Sequence, residues 1–237
     1  MNHSILARLR RKIRLGLDIR RQFGWRKFFF VVLPWLFNRR YFFYSQPIHP
    51  VRPMSSPCSS SIAMTRAEED DLAYVTALNP AAPPLPVLKK RLKDGHLCFI
   101  GWFEGRPVQS RWVFTRPVYL RYLHQTLFTS AGEAFVDEAY TRPEMRGRGI
   151  ATYTGYLLRL ALLELGFKTY SCAVASWNEA QHRVAAKFGL EKVGEGGYID
   201  LLFFKKFIWK GKIIDHGGLG IEIGRWIPEE DPGANKY

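Results

Sequence analysis

The residues whose types and order could do chemistry lie in one stretch, Tyr140-Thr141-Arg142-Pro143-Glu144-Met145-Arg146-Gly147-Arg148-Gly149-Ile150-Ala151. It reads as a strand end, a basic loop containing glycine, and the start of a helix. Gly147 and Gly149 let the backbone turn so that successive N–H groups point into one hollow, and a helix N-terminus adds positive potential there. Arg146 and Arg148 supply further charge. Such a loop suits a pyrophosphate. It is not a dinucleotide fingerprint, because GxGxxG is absent, and not a nucleotide-triphosphate loop, because no GK[ST] follows. The three cysteines, Cys58, Cys98 and Cys172, include no CxxC, and the six histidines show no HxH or HExxH spacing. Neither a zinc site nor a disulfide framework is signalled, and no metal is expected. The cysteines read as reduced thiols of a cytoplasmic protein, Cys172 as a small core residue.

The elements that must position this loop follow from periodicity. Thr65-Arg66-Ala67-Glu68 has the form of a capping box opening a helix with Leu72, Val75 and Leu78 on one face. A proline-rich break leads to a short helix over Val87–Lys93. His96–Phe103 and Val108–Thr115 read as a hairpin about the turn Glu104-Gly105-Arg106-Pro107. A strand is expected over Val118–Phe128 and another over Glu133–Thr141, then a helix from Ile150 to Leu165 ended by Gly166. Strand Thr169–Val174, helix Asn178–Phe188 and strands near Glu191–Gly194 and Tyr198–Trp209 complete the pattern. Residues 211–237 read as an irregular tail, and no internal repeat is visible.

Two motifs then carry a resemblance. Arg146, Gly149 and Ala151 fit R/Q-x-x-G-x-G/A with Pro143 three residues upstream. Asn178, Lys187 and Gly189 fit part of N-x-x-[SA]-x-x-x-x-x-K-x-G-F, with Gln181 and Leu190 departing from it. The chain resembles the GNAT acyltransferase family over about residues 60–210. That resemblance implies an α/β domain over residues 58–210, a mixed and strongly twisted central sheet with helices on both faces. It implies acetyl-CoA or another acyl-CoA as cosubstrate. Backbone N–H groups from Arg146 through Gly147, Arg148, Gly149 and Ile150 to Ala151 would hold the pyrophosphate. The strand end at Tyr140 and Thr141 would pair with the pantetheine arm, and the Asn178 side chain would bond it. Asn178 also reads as a helix N-cap.

Acyl transfer to an amine needs a base, a stabilised oxyanion and a proton for the leaving thiolate. By alternation Glu133 and Asp137 share a face with Phe135 and Ala139, and Glu138 lies on the other. By the resemblance Asp137 leads as base and Glu138 follows. Many family members carry a tyrosine acid seven residues after the asparagine, where this chain has Ala185. Tyr153, Tyr170 or water would then serve, or the thiolate would leave unaided. No Ser/Cys–His pair is signalled, so direct attack in a ternary complex is expected. Arg116, Tyr119, Arg121, Tyr122 and His124 could line an acceptor pocket or belong to a plain strand. The acceptor would be a small-molecule or saccharide amine, an amino sugar or a lipid-linked one, or else a protein amine. A non-catalytic acyl-CoA-binding protein is the alternative that Ala185 favours.

Charge separates the ends of the chain. The 237 residues carry 35 Lys and Arg against 21 Asp and Glu, a net +14, and residues 1–44 hold 11 of the basic side chains and one acid, Asp18. Ile5, Leu6, Leu9, Ile13 and Leu17 predict a short basic amphipathic helix. Eleven aromatic residues crowd Phe23–Tyr44. The apolar run Phe28–Phe37 would reach roughly 15 Å as helix, about half a bilayer core. Residues 1–57 therefore read as a basic, aromatic extension with a Pro/Ser linker, in peripheral contact with anionic lipid at the inner face of the membrane. The same aromatics would alternatively pack on the body of the protein or form a homodimer contact. Nucleic acid is a weaker alternative, with no motif to support it.

Overall fold

The computed structural model describes residues 25, 38–49, 61–120, 122–123, 125–201, 204–211 and 220–221. The expected basic helix, the apolar run Phe28–Phe37, Cys58, Arg121 and His124 lie outside them. In chain order the elements are β1 (Asn38–Pro47), β2 (Ile62–Arg66), α1 (Leu72–Leu78), α2 (Leu85–Lys93), β3 (Leu97–Phe103), β4 (Arg106–Phe114), β5 (Val118–Leu120) and β6 (Gln125–Phe128). Then follow β7 (Glu133–Thr141), α3 (Ile150–Glu164), β8 (Thr169–Ala175), α4 (Glu179–Lys187), β9 (Glu191–Leu201), β10 (Phe204–Gly211) and β11 (Gly220–Ile221). Eight strands form one mixed sheet in the order β10-β9-β1-β8-β7-β4-β3-β2, and β11-β6-β5 form a second. Within the large sheet β7 and β8 run parallel and the other neighbours antiparallel.

Helices cover both faces, as the alternation of β4 makes plain. Trp112 and Phe114 are buried in a core with Leu72 and Val75 of α1 and Leu88 of α2. Val113, pointing the other way, is buried with Leu158 and Leu162 of α3. Each of those two leucines is fully buried, and such burial contributes about 1.5–3 kcal/mol per side chain. The α/β class with a mixed sheet between helical layers is the one the sequence led us to expect.

The sheet does not respect the boundary drawn at residue 57. β1 runs between β8 and β9, with Phe42 opposite Val174 on one side and Glu195 on the other. Tyr41 and Phe43 are buried against the core, while Phe42 and Tyr44 face His182 of α4 from the opposite surface. A strand covered on both faces reads as an unbroken aromatic run, which is why its alternation was hidden. Asn38–Tyr44 is therefore core strand, and its aromatics meet the protein's own body rather than lipid. Among the described residues no helix is long and apolar enough to cross a membrane.

Four smaller expectations are corrected. Thr65 and Arg66 belong to β2, and α1 begins at Leu72, where the Asp71 carboxylate accepts the Glu68 N–H at 3.0 Å and closes the turn. Val118–Phe128 is two strands, not one, because Leu123 N–H donates to the Leu120 carbonyl at 3.0 Å and reverses the chain. The break expected after Gly194 is continuous β9. Its glycines admit neighbours, since a Cβ on Gly196 would stand 3.1 Å from both Phe43 and Trp209. Of the tail, Gly220–Ile221 pairs with β6.

Candidate functional site

The site begins where two parallel strands part. β7 and β8 are paired from Glu133–Thr169 only as far as Val136–Cys172. Beyond that point β7 carries an extra residue. Ser110 stands opposite Tyr140 and Trp112 opposite Asp137, so Glu138 and Ala139 together face Arg111 across the ladder. Glu138 takes a left-handed φ of 50° there, the signature of a bulge that bends the strand away from its neighbour. The bulge also breaks the simple alternation assumed for Asp137 and Ala139.

The opening holds a cavity of about 340 Å³ whose wall includes Asp137, Tyr41, Tyr122, Tyr170, Cys172 and Ala185. Arg111, Glu138 and Asn178 reach it too. Asp137 Oδ2 accepts the Tyr122 hydroxyl at 2.7 Å and its Oδ1 accepts the Glu138 N–H at 2.7 Å. The Tyr122 ring stacks on Tyr41 with centroids 4.2 Å apart. Burial pushes the Asp137 carboxyl up to about 7, with the neighbouring Glu138 charge adding to the effect and the Tyr122 and backbone hydrogen bonds opposing it. A carboxyl group titrating near neutrality can take a proton from an ammonium and give it up again. Glu138 is differently placed. Arg91 clamps both its oxygens at 2.7 and 2.9 Å, and the guanidinium lies over Trp112 and Phe114. Its charge is anchored toward α2.

At the far end of β7 the glycine loop has the expected shape. Gly147 and Gly149 both have φ of 77°, a region that disfavours side chains. A Cβ on Gly147 would meet only open space, so conformation rather than crowding demands glycine there. Arg146 Nε donates to the Thr141 carbonyl at 3.0 Å, and its guanidinium lies 5.7 Å from the Tyr140 ring. Those bonds fold the loop back on the strand that precedes it. From Gly147 to Ala151 the N–H groups reach no backbone acceptor among the described residues, as the first turn of a helix requires. Arg148 is exposed beside them and Ile150 is buried beneath. The loop thus presents a row of open donors at the positive end of α3, the arrangement that binds anions. Asn178 is the helix N-cap that was one of its two expected readings. Its Oδ1 accepts the Gln181 N–H at 3.3 Å as the cap of α4, and the residue also lines the cavity.

Of the acid candidates, Tyr170 lines the cavity, and burial raises its hydroxyl well above the ordinary tyrosine range. Tyr153 packs instead beside Ile150 and against the Tyr156 ring. Ala185 is buried in the wall, so the helix that would carry a tyrosine offers no hydroxyl at that position. Cys172 is buried as expected but lines the cavity too, its thiol pushed up to about 12 by burial and next by Asp137. A thiol so protonated is a poor nucleophile. His182 is held by the Tyr44 hydroxyl at 3.0 Å and the Ala175 carbonyl at 3.1 Å. Among the described residues no three His, Cys, Asp or Glu side chains cluster as a metal site would need. Tyr41 and Arg111 entered no candidate list. Tyr41 was hidden in the aromatic run, and Arg111 carries no local signal that marks it as buried.

No protein-family model matches the chain, and no curated protein matches it. Solved structures do, and they include GNAT-family acetyltransferases. An aminoglycoside acetyltransferase from an uncultured soil metagenomic sample, in complex with sisomicin, is 15% identical, covers 54% of this chain and 87% of its own, and has a TM-score of 0.42. A GNAT-family acetyltransferase from Colwellia psychrerythraea is 16% identical over 65% of this chain and 53% of its own, with a TM-score of 0.48. A predicted acetyltransferase from Clostridium acetobutylicum, solved with acetyl-CoA, is 14% identical over 55% of this chain and 90% of its own, with a TM-score of 0.39. These are distant likenesses of chain path, and none of them speaks for this chain's substrate.

Proposed function

We propose that the protein is an acyl-CoA-dependent N-acyltransferase of the GNAT type, passing an acetyl or other acyl group to an amine in a ternary complex. The observation that carries this reading is the opening of β7 from β8 beyond Val136–Cys172, with Asp137 in the resulting cavity and open N–H groups at the start of α3. The row from Gly147 to Ala151, with Arg146 and Arg148, holds the pyrophosphate of the cosubstrate. The unpaired edge of β7 toward Tyr140 and Thr141, and Asn178 across the opening, flank its pantetheine arm. Asp137 takes the proton from the acceptor ammonium. The amine nitrogen bonds to the thioester carbon and gives up its second proton to solvent, the C–S bond breaks, and the thiolate receives a proton from Tyr170 or solvent. The stacked Tyr41 and Tyr122 rings beside Asp137 form an aromatic wall that attracts a cationic amine before it is deprotonated. An amino sugar, free or lipid-linked, fits such a wall, and a protein amine is the competing acceptor.

The test is calorimetric titration of acetyl-CoA and CoA into the intact protein and into Gly149→Asp, which puts a carboxylate where the pyrophosphate belongs. Micromolar binding lost in the variant supports the reading. Absence of binding to the folded native protein overturns it. Ala185 favours one rival, a protein that binds acyl-CoA without chemistry. CoA release stimulated by amines separates the two, since only the enzyme produces it.

A further inference from the structure

Among the described residues Arg111 is a charge without a counter-charge. It is 5% exposed, and no carboxylate pairs with it among the described residues. One terminal nitrogen donates to the Ala151 carbonyl and, at 3.3 Å, to the Thr154 hydroxyl, while its buried Nε has no hydrogen-bond partner. Its titratable neighbours are Tyr170 and Cys172, both neutral at pH 7. Asp137, on the same cavity wall, answers to Glu138 and Arg91 rather than to Arg111. The start of α3 makes matters worse for a cation, since the helix dipole is positive there. An isolated buried charge is strongly unfavourable unless something pairs with it.

The position of this charge says what would pair with it. Arg111 faces the bulge across the β4–β7 ladder and lines the cavity together with Tyr170 and Cys172, the latter being the β8 member of the last β7–β8 pair. Arg159, equally buried, stacks on Tyr170 and Phe188 and stays out of the cavity wall, so Arg111 is the guanidinium that a bound group would meet. Resting on the acyl-CoA reading, we infer that the acyl group carried by the donor is dicarboxylic, one carboxyl joined as the thioester and the other free to pair with Arg111. A guanidinium offers such a carboxylate two parallel N–H donors. The free carboxylate takes no part in bond making. The amide product keeps it, and the CoA thiol leaves as in any acyl transfer.

The experiment compares succinyl-CoA with butyryl-CoA, which differ by a carboxylate in place of a terminal methyl, and with CoA alone, by calorimetry on the full chain. Succinyl-CoA is expected to bind at least tenfold more tightly than butyryl-CoA. In Arg111→Met that preference disappears while CoA affinity stays within about twofold. Equal or tighter binding of butyryl-CoA by the native protein overturns the inference without any variant. So does a loss of CoA affinity in Arg111→Met as large as the loss for succinyl-CoA, which would make Arg111 part of the CoA site. Native protein that binds CoA but shows no acyl preference leaves the acyl-CoA reading standing and sinks only this one. Native protein that binds no CoA sinks both.

Discussion

Asp137→Asn is expected to stabilise the protein at alkaline pH and disable it at every pH. The native carboxyl sits at about 7 against an ordinary 3.8, so the folded state binds this proton more tightly than the unfolded chain does. Stability from this group is therefore fully present below pH 3.8, is lost as pH rises toward 7, and is level above it. At 1.36 kcal/mol per pH unit the whole range is worth on the order of 4 kcal/mol, and the part between pH 5 and 8.5 about 2–3 kcal/mol. The amide keeps the bond from the Glu138 N–H with its oxygen and turns its NH₂ to the Tyr122 oxygen, an exchange that costs about 1 kcal/mol. Urea unfolding at both pH values should show the advantage of Asn over Asp growing by about 2–3 kcal/mol from pH 5 to 8.5. Amine-dependent CoA release, which in the native protein should rise with pH through a midpoint near 7, should fall by 10²–10⁴ in the variant. A stability difference that does not change with pH would refute the account of the burial. Retained activity would refute Asp137 as base.

Three further perturbations test the surroundings. Phe43→Ala empties a fully buried position in β1 and should lower unfolding free energy by about 3–5 kcal/mol; a loss under 1 kcal/mol would return Asn38–Pro47 to the status of an extension. Gly196→Val drives a side chain into Phe43 and Trp209, each 3.1 Å from the new Cβ, and should cost about 1–3 kcal/mol in urea unfolding. Arg91→Met removes the clamp on Glu138, with an expected loss of about 1.5–3 kcal/mol. Because Arg91 also holds the Asp137 carboxyl down, the midpoint of the pH–rate profile should move above 7, and a downward shift would contradict the charge arrangement.

What the sequence showed of the fold depended on how clearly the ends of each element were marked. β3, β4, β7 and α3 have ends marked by Gly, Pro or charge, and their expected bounds fall within a residue or two of the observed ones. β1 carries aromatic residues on both faces over Tyr41–Tyr44, the half-buried Phe42 and Tyr44 alternating with the buried Tyr41 and Phe43, so its period of two vanished into a run of aromatics and its place in the sheet could be set only by long-range pairing with β8 and β9. β9 misled for the opposite reason. Gly194, Gly196 and Gly197 look like breakers, yet at Gly196 the rings of Phe43 from β1 and Trp209 from β10 stand 3.1 Å from where a Cβ would be. Local rules price a glycine by its conformation, and here its use is the missing Cβ.

The site divides in the same way. The loop was legible because anion binding by backbone needs glycine and positive charge at a helix start, and both are written in one stretch of chain. The cavity was not, because it is made by a difference between two strands far apart in sequence: one bulged residue in β7, with no counterpart in β8, turns a parallel ladder into an opening at Val136–Cys172. Nothing in Asp137-Glu138-Ala139 announces that Glu138 will take a positive φ. The bulge is also what separates the two carboxylates, sending Glu138 to Arg91 and leaving Asp137 with Tyr122. One backbone irregularity thus opens the cavity and selects which acid can act as a base in it, so any substitution that restores a regular β7 ladder should remove both together.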